Sequence, residues 1–210
     1  MSSAQLPDIP RTGSAELPAE RSALIVVDMQ NDFVHSDGAL HVPDAAATVP
    51  RIADLAARAR SAGVPVFYTQ DWHPANDPEF EVWPPHAREG SWGAEIVDEL
   101  APHDEDRVIR KPRYDGFYGT DLDHRLRLAG VKHVLVVGTV ANICVLHTAA
   151  SAALRWYDVA VAEDGTSALT PFDLNATLRQ LTFLYLGRVV TCDGVHFGAD
   201  ATGARSDGRA

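Results

Sequence analysis

The chain has 210 residues, 46% of them hydrophobic, enough for one sizeable core and few for two domains. With 29 acidic against 18 basic residues the net charge is −11, so phosphate backbones and anionic membrane surfaces are repelled, and neither nucleic acid nor a membrane is an expected partner. Two cysteines, Cys144 and Cys192, cannot build a secreted disulfide framework or a CxxC zinc or redox centre, which points to a reducing cytoplasm.

In chain order, residues 1–20 are rich in Ser, Ala, Glu and Pro and predict a flexible N-terminal arm without the apolar core of a signal peptide. The run 23-ALIVVD-28 predicts a strand, and residues 44–63 predict a helix stopped at Gly63. A second strand is expected at 64-VPVFYTQ-70 and a third at 107-RVIRK-111. Between them lies a long loop, residues 70–106, dense in Pro, Trp and His; loops of that length in compact domains usually carry function. A helix over 120–130, the strand 133-HVLVVGT-139 and a helix over 143–156 follow. The strand 158-DVAVAED-164, a helix over 173–187 and the strand 188-RVVTC-192 complete the pattern, and residues 199–210 predict a flexible C-terminal tail. Six short, nearly all-apolar strands alternating with helices predict a single α/β domain over 21–198. Its architecture is a three-layer α/β/α sandwich around a mostly parallel sheet. No apolar run approaches the roughly 18 residues of a membrane helix.

Sites on such sheets lie beyond the carboxyl ends of the strands. Asp28 closes the first strand, Lys111 the third, and Cys144 follows the fourth, so all three share one rim. A thiol with an ordinary pKa near 8.5 is only a few per cent thiolate at neutral pH. A helix N-terminus and a nearby ammonium are expected to lower it, and Asp28 is a carboxylate able to take the thiol proton. One by one these residues also read as a core cysteine, a solvated lysine and a turn-forming aspartate.

The runs 24-LIVVDMQNDF-33, 110-RKPRYDGFYGTDLDHRLRLAGV-131 and 134-VLVVGTVANICVLHTAASA-152 together resemble the isochorismatase-like superfamily of cysteine hydrolases over most of residues 22–192. The resemblance implies a catalytic triad of Asp28, Lys111 and Cys144. The pairing of 71-DWH-73 with 83-WPPH-86 is similar to the metal-site signature of nicotinamidases. It implies one divalent metal ion per subunit, zinc, iron or manganese, on Asp71, His73 and His86, with Glu79 as an additional ligand. Chemically the pattern suits a metal: residues i and i+2 of an extended segment project to one side, and the rigid Pro-Pro delivers His86. Oxygen and nitrogen donors without thiolate match those ions, and three protein ligands leave positions open.

The family pattern further implies an oxyanion hole from the backbone N–H groups of Val140 and Cys144, and a cis peptide between Thr139 and Val140. It also implies a substrate pocket walled by Phe33, Trp83 and Tyr118. The turn reads TVANIC, with Val140 where many nicotinamidases have Ala and Asn142 where many have Asp. Conversion of nicotinamide to nicotinate and ammonia through a cysteine thioester is therefore expected, in a homo-oligomer acting on a small-molecule amide. The alternatives are a metal-independent relative acting on a carbamoyl or maleamate-like amide, and a non-catalytic binding domain. Cys192 is expected to pack in the core, and His35, His41 and His103 to be ordinary loop histidines.

Overall fold

A computed structural model describes residues 7–198. Seven strands, β1 (Gly13–Pro18), β2 (Ser22–Val27), β3 (Val66–Asp71), β4 (Arg107–Lys111), β5 (His133–Gly138), β6 (Asp158–Thr166) and β7 (Arg188–Gly198), form one sheet in the order β1-β7-β6-β5-β2-β3-β4. Every pairing is parallel. The helices are α1 (Asn31–Val34), α2 (Ala45–Ser61), α3 (Leu122–Leu128), α4 (Leu146–Leu154) and α5 (Pro171–Leu184).

The residues explain the layering. β2 is buried along its whole length, and its side chains alternate between the two faces. Leu24 and Val26 pack with Ile52 and Leu55 of α2, whereas Ile25 and Val27 pack with Leu122 and Leu126 of α3, Ala149 of α4 and Leu178 and Leu181 of α5. Two apolar cores on opposite faces of a parallel sheet make the expected three-layer α/β/α sandwich. Local signals agree: Thr170 caps α5 by accepting from the Asp173 N–H, with Pro171 in its first turn. Past the end of α2, Gly63 takes φ 75°.

The strand count exceeds the expectation by one, because the N-terminal arm is not loose throughout. Residues 13–18 form β1 on β7, with Ala15 opposite Val195 and Leu17 opposite Phe197, and both Ala15 and Leu17 are buried. The tail 199–210 and residues 1–6 lie outside the described residues. The long loop contains only short 3₁₀ turns at Pro78–Glu81, Trp92–Ala94 and Asp98–Leu100. It is tied to the sheet rim by Gln30, whose side chain donates to the Asp71 and Ala94 carbonyls at 2.9 and 2.8 Å and accepts from the Asp71 N–H at 2.8 Å. No helix among the described residues is long and apolar enough to cross a membrane.

Candidate active site and metal centre

The register of the central strands assembles the site. Val27 stands opposite Thr69 on β3 and Gly138 on β5, and Asp71 stands opposite Lys111 on β4. Residues at these carboxyl ends therefore share one rim. Asp28 leaves β2 in the left-handed region, φ 50°, which Asp tolerates better than most residues. After β5 the chain passes a cis Thr139–Val140 peptide into a π-helical turn, Ala141–Val145, that carries Cys144 and leads into α4. The segment after β6 pins this turn: Ala141 N–H donates to the Ser167 carbonyl at 2.8 Å, and the Ser167 hydroxyl to Thr139 Oγ1 at 2.9 Å.

Sulfur, carboxylate and ammonium meet as the sequence predicts. Lys111 Nζ lies 2.7 Å from Asp28 Oδ2 and 3.6 Å from Cys144 Sγ, and it also donates to Asp71 Oδ1. Donor atoms of Asp28, Asp71 and Cys144 fall within 4.8 Å of one another. The Thr69 hydroxyl donates to Asp28 Oδ1 at 2.6 Å. All of these side chains are buried.

The expected low thiol pKa is not what this environment produces. Burial pushes the Cys144 thiol well above its ordinary value; Lys111 opposes this, but Asp28 and Asp71 add to it. Cys144 sits within the π turn that runs directly into α4 at Leu146. Burial also raises Asp28, against the pull of the Lys111 ammonium. Lys111 would be lowered by burial, yet Asp28 and Asp71 outweigh that and hold it firmly protonated. The resting pair is a neutral thiol beside a carboxylate with heightened proton affinity, the combination suited to transferring the proton as the sulfur attacks.

Asp71, His73 and His86 converge as the second cluster, with donor atoms within 4.8 Å of one another. His73 Nε2 is 3.7 Å and His86 Nε2 4.0 Å from Asp71 Oδ2. Glu79 Oε1, the additional ligand the resemblance implies, is 4.0 Å from His86 Nε2 and borders the group. His86 Nδ1 lies 2.8 Å from the Pro84 carbonyl. A carbonyl only accepts, so the proton sits on Nδ1 and the Nε2 lone pair faces the cluster. Burial lowers the His86 pKa and favours that neutral ring. Burial also acts to lower His73, but the neighbouring Asp71 and Asp77 carboxylates prevail and raise it. Burial disfavours the Asp77 anion too, but the Glu79 N–H, His73 and Arg113 hold its pKa down at about 2. His73 Nε2 and both Glu79 carboxylate oxygens are buried without hydrogen-bond partners among the described residues. Buried polar atoms are seldom left so, and a donor set of two carboxylates and two imidazoles fits a divalent cation.

A cavity of about 100 Å³ adjoins both clusters and is lined by Asp28, Asp71, Glu79, His86, Val140 and Cys144. Phe33 and Trp83 wall it as expected, but Tyr118 does not: it is 62% exposed, and Tyr114 takes the place. The Tyr114 hydroxyl accepts from Trp83 Nε1 at 3.0 Å and fixes the indole. His41, in the loop before α2, also lines the cavity, while His35 packs against Trp92 and His103 pairs with Glu105 at the surface. Cys192 is fully buried in the apolar core and does not line the cavity. Thr69 was legible in principle, because it shares a strand face with Asp71 two residues on. Tyr114 sits in an aperiodic loop that gives no such signal.

The chain matches the isochorismatase domain over residues 22–193. It is 34% identical over 180 residues to the ureidoacrylate amidohydrolase RutB of Yersinia enterocolitica, covering 73% of this chain and 78% of that one. Among solved structures it is similar to N-carbamoylsarcosine amidase from Thermoplasma acidophilum, at 40% identity and a TM-score of 0.76 over 82% of this chain and 97% of that one. It is also similar to the pyrazinamidase of Pyrococcus horikoshii in complex with zinc, at 32% identity and a TM-score of 0.77 over 81% and 99%. The buried Asp, Lys and Cys on the rim of a parallel sheet thus occur in a chain that belongs to the isochorismatase family, among hydrolases of amides.

Proposed function

We propose that the chain is a metal-dependent nicotinamidase, converting nicotinamide to nicotinate and ammonia. The observation that carries this is the convergence of Asp71, His73 and His86, with an unpartnered His73 Nε2, beside the cavity that holds Cys144. Asp71, His73, His86 and Glu79 would hold one divalent cation, which supplies a Lewis acid able to bind an aromatic nitrogen.

The chain's own residues account for the rest. Phe33, Trp83 and Tyr114 offer flat walls to a planar ring. Asp28 takes the Cys144 proton as the sulfur attacks the carboxamide carbon. The backbone N–H groups of Val140 and Cys144 receive the developing oxyanion. Asp28 returns the proton to the nitrogen as the C–N bond breaks, ammonia leaves, and a thioester remains on Cys144. Asp28 then takes a proton from water, whose oxygen attacks the thioester carbon; as the C–S bond breaks Asp28 returns that proton to the sulfur, and the new carboxyl group loses the second water proton to solvent to leave as nicotinate. Lys111 keeps a positive charge beside both partners throughout.

A second reading is an open-chain ureido amide, favoured by the similarity to RutB. Ureidoacrylate bears a carboxylate, and the cavity lining holds three carboxylates, Asp28, Asp71 and Glu79, and neither Lys nor Arg. Lys111 is engaged by Asp28 and Asp71. A neutral amide needs no countercharge there, whereas a bound carboxylate would have only the proposed cation to face.

The test is ammonia release from nicotinamide by the protein as purified, after chelation, and after restoring zinc or manganese. Activity is expected to vanish with chelator and return with metal. Cys144→Ala should lose activity by roughly a thousandfold or more while retaining bound metal. Turnover indifferent to chelation rejects the metal dependence, and substantial turnover by Cys144→Ala rejects the nucleophile.

A further inference from the structure

One side chain that the proposed chemistry does not use steadies two of the four metal-site residues. Asp77 is 5% exposed. Its Oδ2 lies 3.1 Å from His73 Nδ1, and its Oδ1 accepts the N–H of Glu79 at 2.9 Å. The Arg113 guanidinium donates to the same Oδ2 at 3.1 Å and stands 3.6 Å from Glu79 Oε2. A carboxylate only accepts, so a neutral His73 facing Asp77 carries its proton on Nδ1 and its lone pair on Nε2. That Nε2 is the buried atom without a hydrogen-bond partner, turned toward Asp71. The contact with the Glu79 N–H caps the Pro78–Glu81 turn and so fixes where the Glu79 carboxylate emerges.

We propose that Asp77 is a positioning residue of the metal centre: it sets the tautomer of His73 and seats Glu79, so that cation affinity depends on it. Arg113 supplies countercharge to Asp77 and Glu79, and Lys111 to Asp71, where three carboxylates crowd around one site. The inference rests on the metal-dependent reading above. Outer partners of this kind fix the orientation and basicity of a ligating imidazole, and their loss commonly weakens metal binding 10- to 100-fold.

The experiment measures zinc affinity by competition with a chromophoric chelator in the full-length chain, for wild type, Asp77→Asn and Asp77→Ala. Asparagine keeps the size and an oxygen for the Glu79 N–H, but presents an amide donor to His73 Nδ1 and drives the ring proton onto Nε2. Both variants are expected to bind zinc about 10- to 100-fold more weakly. The visible spectrum of the cobalt-loaded Asn variant should also change. Stoichiometric zinc on wild type with Asp77→Asn within roughly threefold of its affinity overturns the inference alone. Failure of wild type to bind zinc overturns the metal reading and this inference with it. A measurement on wild type guards against a variant that does not fold. Nitrogen-15 NMR of the zinc-loaded protein should find the His73 proton on Nδ1, and a proton-free Nδ1 overturns the assignment.

Discussion

Cys144 and Asp28 show why a residue's identity and position are readable from a chain while its ionisation is not. Both stand where the ends of predicted strands place them, yet the thiol is pushed up by burial, against the sequence-based expectation. Burial depends on what packs above the rim, and that is a property of the whole fold. Activation therefore falls to Asp28, whose carboxylate is tuned by the Thr69 hydroxyl at 2.6 Å. Burial raises the Asp28 pKa; the Lys111 ammonium opposes this first, and the Thr69 hydrogen bond adds a smaller stabilisation of the anion. Thr69→Val removes it and raises the Asp28 pKa further. A base works only when ionised, so the acid limb of kcat/KM should move to higher pH in the variant. On the acid side of that limb kcat/KM should fall by about three- to tenfold, while the plateau above it changes little. An acid limb that stays in place separates Thr69 from the base.

The elements that pattern reveals are those buried on both faces. β2, β3 and β5 are buried along nearly their whole length around the apolar runs ALIVV, VFY and VLVV, and they lead to Asp28, Asp71 and the turn to Cys144. β1 escaped notice because GSAELP at a sheet edge buries only Ala15 and Leu17, too weak an alternation among Ser, Glu and Pro. The π turn at Ala141–Val145 reads in sequence as the first turn of a helix, since apolar spacing does not distinguish the two over five residues. Where β5 ends, close approach imposes its own residue. Gly138 has φ 117°, and a Cβ there would lie 2.1 Å from the Val27 carbonyl oxygen on the neighbouring strand. Gly138→Ala must push β5 from β2 or distort the turn to Cys144. Urea unfolding should show a loss of about 2 kcal/mol or more. An unchanged midpoint at unchanged slope contradicts so tight a contact.

For the molecule as a whole, one sheet rim holds two chemistries side by side, and Asp71 belongs to both. One of its oxygens takes the Lys111 ammonium and the other faces His73 and His86. The long loop supplies His73, Glu79 and His86, and Gln30, just beyond β2, clamps it to the end of β3. Family membership and amide hydrolysis follow from the chain's matches, but the choice of amide lies in the cavity. Its walls are aromatic and aliphatic, which suits a flat ring rather than an open chain. The most direct measurement is the ratio of kcat/KM for nicotinamide to that for ureidoacrylate on the zinc- or manganese-loaded protein. A ratio well above one is predicted, and efficient turnover of ureidoacrylate with none of nicotinamide would contradict it.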